Sequence, residues 1–406
     1  MTRKRPMIDL FAGAGGLSLG LEASGFGSVY ANEIVGQYAK TYKANHPETW
    51  VDSRDIRNVN AGDIRRKLGL QKRDLALLAG GPPCQGFSVN APIRSVDDRR
   101  NHLFLDYLKF VKEFEPDAVL IENVPGLVSF EGGATLDAIL TALTDLEYSP
   151  DVRILYAPHH GVPQTRWRTI VLAVRNDITK PDNMFPEPKH SAPARVNFTS
   201  LHRNRSLVAL VGDNDLPGHT SVSDALSDLP ALVNGGSVPD GSDYRTEAQN
   251  VYQRILRGGS RGVFNHRAAR LAPINVERLS HIPPGGNWTD IPRELLPAGM
   301  QRANRGDHTK RYGRTLSSGL SSTILTKCDP HWGAYFHYDQ PRVFTVREAA
   351  RIQSFPDSYV FAGSLSDQYA QVGNAVPPLL ATAIGDQIID MISTTRNART
   401  VKLLVS

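Results

Sequence analysis

The stretch Met7-Ile8-Asp9-Leu10-Phe11-Ala12-Gly13-Ala14-Gly15-Gly16 decides the fold. Its apolar start, Met7–Phe11, reads as a buried strand. The glycines that follow let the backbone turn tightly and come close to a ligand, and Gly16–Ser24 reads as the helix that leaves the turn. Outward from this unit the alternation repeats. Short apolar runs predict strands at Ser28–Asn32, Leu75–Ala79, Ala118–Glu122, Val152–Tyr156 and Thr169–Val174, with helices at Gln37–Asn45, His102–Phe114 and Thr135–Leu146 between them. Leu103, Tyr107, Phe110, Val111 and Phe114 keep an apolar stripe at helical spacing. Such alternation implies an α/β fold with a mostly parallel sheet covered on both faces, and ligands held at the carboxyl ends of its strands.

The chain has 406 residues, 40% hydrophobic and 21% charged, which excludes a disordered chain, a collagen and a disulfide scaffold. No apolar run approaches the ~18 residues of a membrane span, and the N-terminus lacks the pattern of a signal peptide, so no membrane association and a cytoplasmic location are expected. Two cysteines, Cys84 and Cys328, leave no disulfide framework and no zinc site built of thiolates, and no metal is expected. From about 176 to 345 the periodicity dissolves into Pro- and Gly-rich sequence, and helices return at Val346–Ser354 and Pro378–Ile392. This predicts a first part of a catalytic domain over 1–175, a smaller irregular domain over 176–345, and a segment 346–406 that completes the first. Net charge is +5, but its placement says more: residues 254–314 hold twelve Lys/Arg against four Asp/Glu, and 206–253 one Arg against seven acids. A concentrated basic segment suits phosphate contact as well as it suits a solvated surface.

The chemistry-bearing residues sit at expected strand ends. Glu33 ends the second strand, where an acid can accept ribose hydroxyls, and Asp55 follows the third strand region. The glycine spacing is not G-x-G-x-x-G, and no P-loop Lys-Ser/Thr follows, so S-adenosylmethionine is favoured over nicotinamide or ATP. The strand Leu75–Ala79 runs into Gly80-Gly81-Pro82-Pro83-Cys84-Gln85-Gly86-Phe87-Ser88, a Pro/Gly-stiffened turn that presents a thiol where α/β enzymes do chemistry. Cys328 has no comparable setting and reads as structural. Glu122 would stand beside the Cys84 loop if their strands are neighbours, and Gln164-Thr165-Arg166-Trp167-Arg168 puts two arginines at i, i+2 on one side of an extended chain.

Together these residues resemble the DNA (cytosine-5) methyltransferase family, in a prokaryotic form of the restriction–modification type. The cofactor loop Asp9–Gly16, the nucleophile loop Gly81–Ser88, Arg100-Asn101-His102-Leu103-Phe104, Glu122-Asn123-Val124, Gln164–Arg168, Arg347–Asp357 and Gln371–Pro378 follow one another in the family's order. The resemblance implies a Rossmann-like S-adenosylmethionine-dependent methyltransferase sheet, with a target-recognition domain over 176–345. It implies that Phe11, Gly13, Ala14, Gly15, Gly16, Glu33, Ile34, Asp55, Ile56, Pro83, Leu103, Asn374, Ala375 and Val376 hold the cofactor, and that Gln85, Ser88 and Arg100 touch DNA. Catalysis would fall to Cys84, attacking cytosine C6, to Glu122 at N3, to Arg166 at O2, and to Arg168, holding Glu122 or a phosphate. The partner implied is double-stranded DNA; a restriction endonuclease acting on the same site is left open. Two other readings stay in view: a tRNA cytosine-5 methyltransferase of the same fold, disfavoured because no Cys-Phe-Thr tripeptide occurs and 176–345 is long, and a catalytically silent DNA-binding relative.

Overall fold

Parallel strands buried on both faces should be continuous apolar runs, and the centre of the sheet obeys this. In the computed structural model, which describes residues 4–82, 103–209, 216–304, 306 and 309–405 with side chains as far as 395, Leu75 to Ala79 and Ala118 to Ile121 are all buried. Pro83, Cys84, Gln85, Ser88 and Arg100 lie outside the described residues.

Seven strands form the main sheet: β1 (Arg5–Leu10), β2 (Phe26–Asn32), β3 (Trp50–Asp52), β4 (Leu77–Gly80), β5 (Ala118–Asn123), β6 (Tyr148–Tyr156) and β7 (Trp167–Arg175), with a small hairpin of β8 (Leu201–His202) and β9 (Arg205–Ser206) elsewhere. The sheet order is β3-β2-β1-β4-β5-β7-β6. The first five strands in this order pair in parallel, and β7 runs antiparallel between β5 and β6. The order reverses between β1 and β4, the topological switch point where an open α/β sheet leaves a crevice. β6 is an edge strand and alternates in burial, which is why it tolerates Pro150.

The helices of the sheet layers are α1 (Gly16–Ala23), α2 (Gly36–Asn45), α3 (Ala61–Lys67), α4 (Leu103–Phe114) and α5 (Ala134–Asp145). Further along come α6 (Val222–Leu226), α7 (Val251–Arg257), α8 (Pro273–Ser280), α9 (Ala298–Gln301), α10 (Val346–Ile352), α11 (Leu365–Asn374) and α12 (Pro378–Val405). One face of the sheet buries Tyr107, Phe110, Phe114, Leu136 and Ile139; the other buries Leu17 and Leu21 with Leu380, Ile384 and Ile388 of α12. α1 and α12 cross closely because a Cβ on Gly20 would lie 2.3 Å from the Pro378 carbonyl, and one on Gly385 would strike Ser24. The joined stretch Leu365–Thr395 is apolar enough in composition to cross a membrane, but 67% of that window is buried inside the protein.

The chain from 176 to 345 does not pack as one body. Ile178, Met184 and Phe185 belong to one core of the sheet and Leu207 to the other. Leu271, Leu279, Ile282, Trp288, Ile291 and Phe336 form a separate small core. Val222, Leu226, Tyr252 and Leu256 pack instead with Phe344, Ala349, Phe355 and Tyr369, around α10 and α11. The motif from Arg347 to Asp357 is the framework of that third core. Glu348 caps α10 through the Thr345 backbone and takes both terminal nitrogens of Arg342 at 2.7 Å. Arg347 donates to the carbonyls of Phe264, Pro356 and Tyr359, and Arg351 bridges Asp228 and Asp357. These charges are fully buried and satisfied, so the motif holds structure together.

Candidate active site

Strand direction gathers the expected groups on one edge. The loop after β1, the acids after β2 and β3, Gly81-Pro82 after β4, the end of β5 and the start of the antiparallel β7 all emerge there. At the first of these, Phe11 adopts φ 60°, a left-handed conformation costly for a non-glycine residue, and its half-buried ring packs against the core. Gly13 and Gly15 are also left-handed, at φ 58° and 93°. A Cβ on Gly15 would lie 2.6 Å from the Tyr359 hydroxyl, and one on Gly16 would lie 2.6 Å from the Val376 carbonyl. The loop is thus clamped from behind: Tyr359 donates to the Ala14 carbonyl, and Ala375 and Val376 press on Gly16. Around a Cβ on Gly13, by contrast, no atom lies within 4 Å, so that face of the loop is open.

Glu33 borders the open side. It accepts from the Gly13 amide at 2.8 Å and the Val35 amide at 2.7 Å, while burial still raises its pKa. Ile34 beside it is 59% exposed, an apolar surface open to solvent among the described residues. Asp55 accepts from Arg57 Nε at 3.0 Å and Nη2 at 2.5 Å, so a nucleoside amino group would share it with that cation. Ile56 is buried in the core, Leu103 is half-buried against it, and Asn374 is exposed at the end of α11. An open glycine turn, a ribose-type acid and an exposed aliphatic at consecutive strand ends fit an adenosine-containing cofactor.

β4 and β5 are neighbours, with Gly80 opposite Ile121, so the condition set for Glu122 is met. A Cβ on Gly81 would lie 3.1 Å from Glu122 Oε2, and Asn123 Nδ2 donates to the Pro82 carbonyl at 3.2 Å. The backbone that leads to Cys84 therefore starts against Glu122. Across the sheet, Arg168 Nε stands 2.5 Å from Glu122 Oε1, both side chains nearly buried.

Here the arginine roles expected from sequence change. Arg166 is 1% exposed, and its terminal nitrogens donate to the carbonyls of Ile324 at 3.0 Å and of Gly373 and Ala375 at 2.9 Å. With both termini committed to backbone, it is a brace between β7, the irregular region and α11. The contact with cytosine O2 expected of it is corrected on these grounds, and the arginine beside the carboxyl is Arg168. Spacing alone put both side chains on one side of the strand and could not say which one reached the loop.

A cavity of about 810 Å³ opens at this edge, lined by Val124–Gly126, Thr165–Arg168, Pro193–Arg195, Lys310, Thr323–Thr326 and Asn374 among others. Among the described residues its lining holds Arg166, Arg168, Arg195 and Lys310 and no carboxylate, a cationic groove. Tyr156, Trp167, Arg195, Asn197 and Phe198 line it too; the last three gave no signal in the sequence, since 193–198 lies in a Pro-rich stretch without periodicity. The basic count over 254–314 overstated the free charge. Arg257 pairs with Asp228, Arg278 donates to the Leu295 carbonyl and Arg314 to the Ile282 carbonyl, whereas Lys310 faces the cavity. Cys328 is buried, and burial pushes its thiol well above the ordinary range, as a structural cysteine requires. No cluster of metal-ligating side chains occurs among the described residues.

A sequence profile of the family described as C-5 cytosine-specific DNA methylase matches residues 6–390. The Type II methyltransferase M.AgeI of Thalassovita gelatinovora is 35% identical over 94% of this chain and 98% of its own length. DNA (cytosine-5)-methyltransferase 1 of Mus musculus is 32% identical over 94% of this chain but only 28% of its own. Among solved structures, a prophage-encoded DNA modification methyltransferase from E. coli superposes with a TM-score of 0.71 at 23% identity, covering 96% of this chain and 99% of that one.

Proposed function

The chain belongs to the C-5 cytosine-specific DNA methylase family and is an S-adenosylmethionine-dependent DNA (cytosine-5)-methyltransferase, and from that premise we propose that it acts on a cytosine flipped out of a specific duplex site, through a transient Cys84–C6 bond. S-adenosylmethionine supplies the methyl group. Gly13, Glu33 and Ile34 border the open face of the glycine loop and would hold its adenosine part, with Asn374 reaching it from the end of α11.

Cytosine C5 is a poor nucleophile until sulfur adds at C6. Addition pushes electrons into the ring, so charge grows on N3 and O2. A carboxyl proton shared with N3 and an arginine donor to O2 meet that charge as it forms; removing one such donor typically costs ~10²–10³ in rate. Glu122 is the group for N3, and Arg168, paired with it, is the group for O2. Arg166 fixes the strand that carries Arg168 by gripping the carbonyls of Ile324, Gly373 and Ala375. C5, made nucleophilic by the addition, would take the methyl group; loss of the C5 proton to a base or water and departure of Cys84 as thiolate then restore the aromatic ring. A base stacked in a duplex exposes no path to C6, so it must leave the helix at a cost of a few kcal/mol. The observation that carries this reading is the Glu122–Arg168 pair beside a cavity large enough for a nucleotide and lined by Arg168, Arg195 and Lys310.

Transfer of a tritiated methyl group to duplex DNA and to tRNA, with wild type and Cys84→Ser, tests it. Incorporation into duplex DNA that vanishes in Cys84→Ser, together with a covalent adduct on a 5-fluorocytosine duplex, is expected. Incorporation into tRNA alone, or an adduct that survives loss of Cys84, would overturn it.

A further inference from the structure

Tyr156 ends β6 and Trp167 begins β7, and the antiparallel register sets them opposite each other. Their rings stack at 4.2 Å with an interplanar angle of 24°. This pair grips the segment Pro193-Ala194-Arg195-Val196-Asn197-Phe198 at both ends. The Tyr156 hydroxyl donates to the Pro193 carbonyl at 2.8 Å, and the Phe198 ring meets Trp167 edge-on at 5.4 Å. Trp167 lies between the two arginines of the site, so the grip is built on the strand that carries the chemistry.

Between the grips, Arg195 and Asn197 are exposed and line the same cavity as Arg168 and Lys310. Arg195 has no hydrogen bond or ion pair among the described residues, in contrast to Arg257, Arg278 and Arg314. A cation on a free loop is an ordinary solvated surface group. A cation on a segment pinned at both ends has already lost much of the backbone freedom that binding would otherwise cost, and Arg195 is held at the cavity it shares with Arg168 and Lys310. A guanidinium there matches the paired oxygens of a phosphodiester.

We propose that residues 193–198 form a strap whose Arg195 binds a backbone phosphate of the DNA strand in the cavity, and that the Tyr156–Trp167–Phe198 staple holds it there. This rests on the DNA-methyltransferase reading and adds to it a substrate contact outside every motif that carries the family resemblance. Arg195 is a positioning residue, acting on the backbone and not on the reacting base.

The test uses the full chain with a short duplex carrying a site that the wild type methylates, titrated with salt over about 50–200 mM. Arg195→Ala should raise the DNA Kd several-fold and flatten the slope of log K against log salt by about 0.9, the signature of one lost phosphate contact. Arg195→Lys should restore the slope. Phe198→Ala, which keeps the charge but frees the strap, should raise the DNA Kd and the DNA KM with the slope retained. Binding of S-adenosylmethionine, followed separately, reports that each variant is folded. An unchanged slope and Kd in Arg195→Ala, in protein that binds the cofactor, would overturn the strap while leaving the enzyme reading intact. Failure of the wild type to methylate any duplex would instead remove the reading beneath it.

Discussion

Replacing Arg351 by methionine takes the cation out of a cluster with no exposed member. Arg351 donates to both oxygens of Asp357, at 2.9 and 2.6 Å, to both oxygens of Asp228, and to the Ala225 carbonyl at 2.8 Å; all three charged side chains are 0% exposed. The substitution leaves two buried carboxylates. Asp357 keeps the Tyr244 hydroxyl at 2.8 Å and a distant Arg347 at 3.7 Å, and Asp228 keeps Arg257 at 3.3 Å. Breaking a fully buried ion pair costs about 3–5 kcal/mol, against less than about 1 for an exposed one. The remaining cations should hold the loss near about 3–4 kcal/mol, a large part of the ~5–15 kcal/mol that stabilises a typical fold. Burial would raise the Asp357 pKa, but Arg351 and Arg347 overcome it and hold the group below the ordinary value. Its stabilisation is therefore present above the usual carboxylate range and is lost as pH falls through the folded value. Urea unfolding followed by fluorescence should show the midpoint fall at pH 7, with a shallower acid dependence in the variant than in wild type. A loss below about 1 kcal/mol, or an unchanged acid limb, would refute the claim that this cluster clamps α6 and α7 to α10.

Asp9 is 1% exposed, and burial, opposed by the Ser18 hydrogen bond and aided by Glu33, pushes its carboxyl up to about 7 from 3.8. A raised carboxyl pKa destabilises the fold as pH rises between those values, by about 4 kcal/mol in all; Asp9→Asn should therefore gain thermal stability over wild type progressively from pH 5 to pH 8, and a difference flat with pH would refute this. The two arginines of β7 should separate by phenotype. Arg168→Met should lose about 10²–10³ in kcat with a smaller fall in melting temperature than Arg166→Met, since the Arg168–Glu122 pair keeps some contact with solvent. Arg166→Met, which takes the arginine donor from the Ile324 and Gly373 carbonyls while Ala375 keeps Gln353 Nε2 at 2.7 Å, should lose on the order of 2–3 kcal/mol in stability, and the reverse pattern in kinetics and melting would return the O2 contact to Arg166.

The order of strands and helices over 7–175 was legible because the signals are local: apolar runs ended by Gly or acid, and the stripe of α4. α3 was missed, and β3 was expected only as a strand region ahead of Asp55, without bounds. Trp50–Asp52 is too short to show a period, and Ala61–Lys67 buries only Ala61 and Ile64, so its pattern reads as a polar turn. α11 was missed for a related reason: its first turn is set by the Ser364–Asp367 capping box, a short-range polar signal, and its apolar content is low. The site divided the same way. The positions of Glu33 and Glu122 at the carboxyl edge of the sheet were legible because a strand end fixes where its last side chain goes. The division between Arg166 and Arg168 could not, because it depends on carbonyls at 324, 373 and 375 contributed by two distant segments.

By itself, then, the amino-acid order determined the class of fold, the glycine turn and which candidate groups stand at strand ends, since each follows from steric and apolar preferences acting within a few residues. Only the tertiary structure decided which arginine faces Glu122, that the charges of Arg347, Glu348 and Arg351 are spent inside the protein, and that an unremarkable Pro-rich stretch is pinned beside the cavity. Those outcomes depend on which groups lose their water to which partners, and a burial of that kind is settled by contacts between residues tens to hundreds of positions apart.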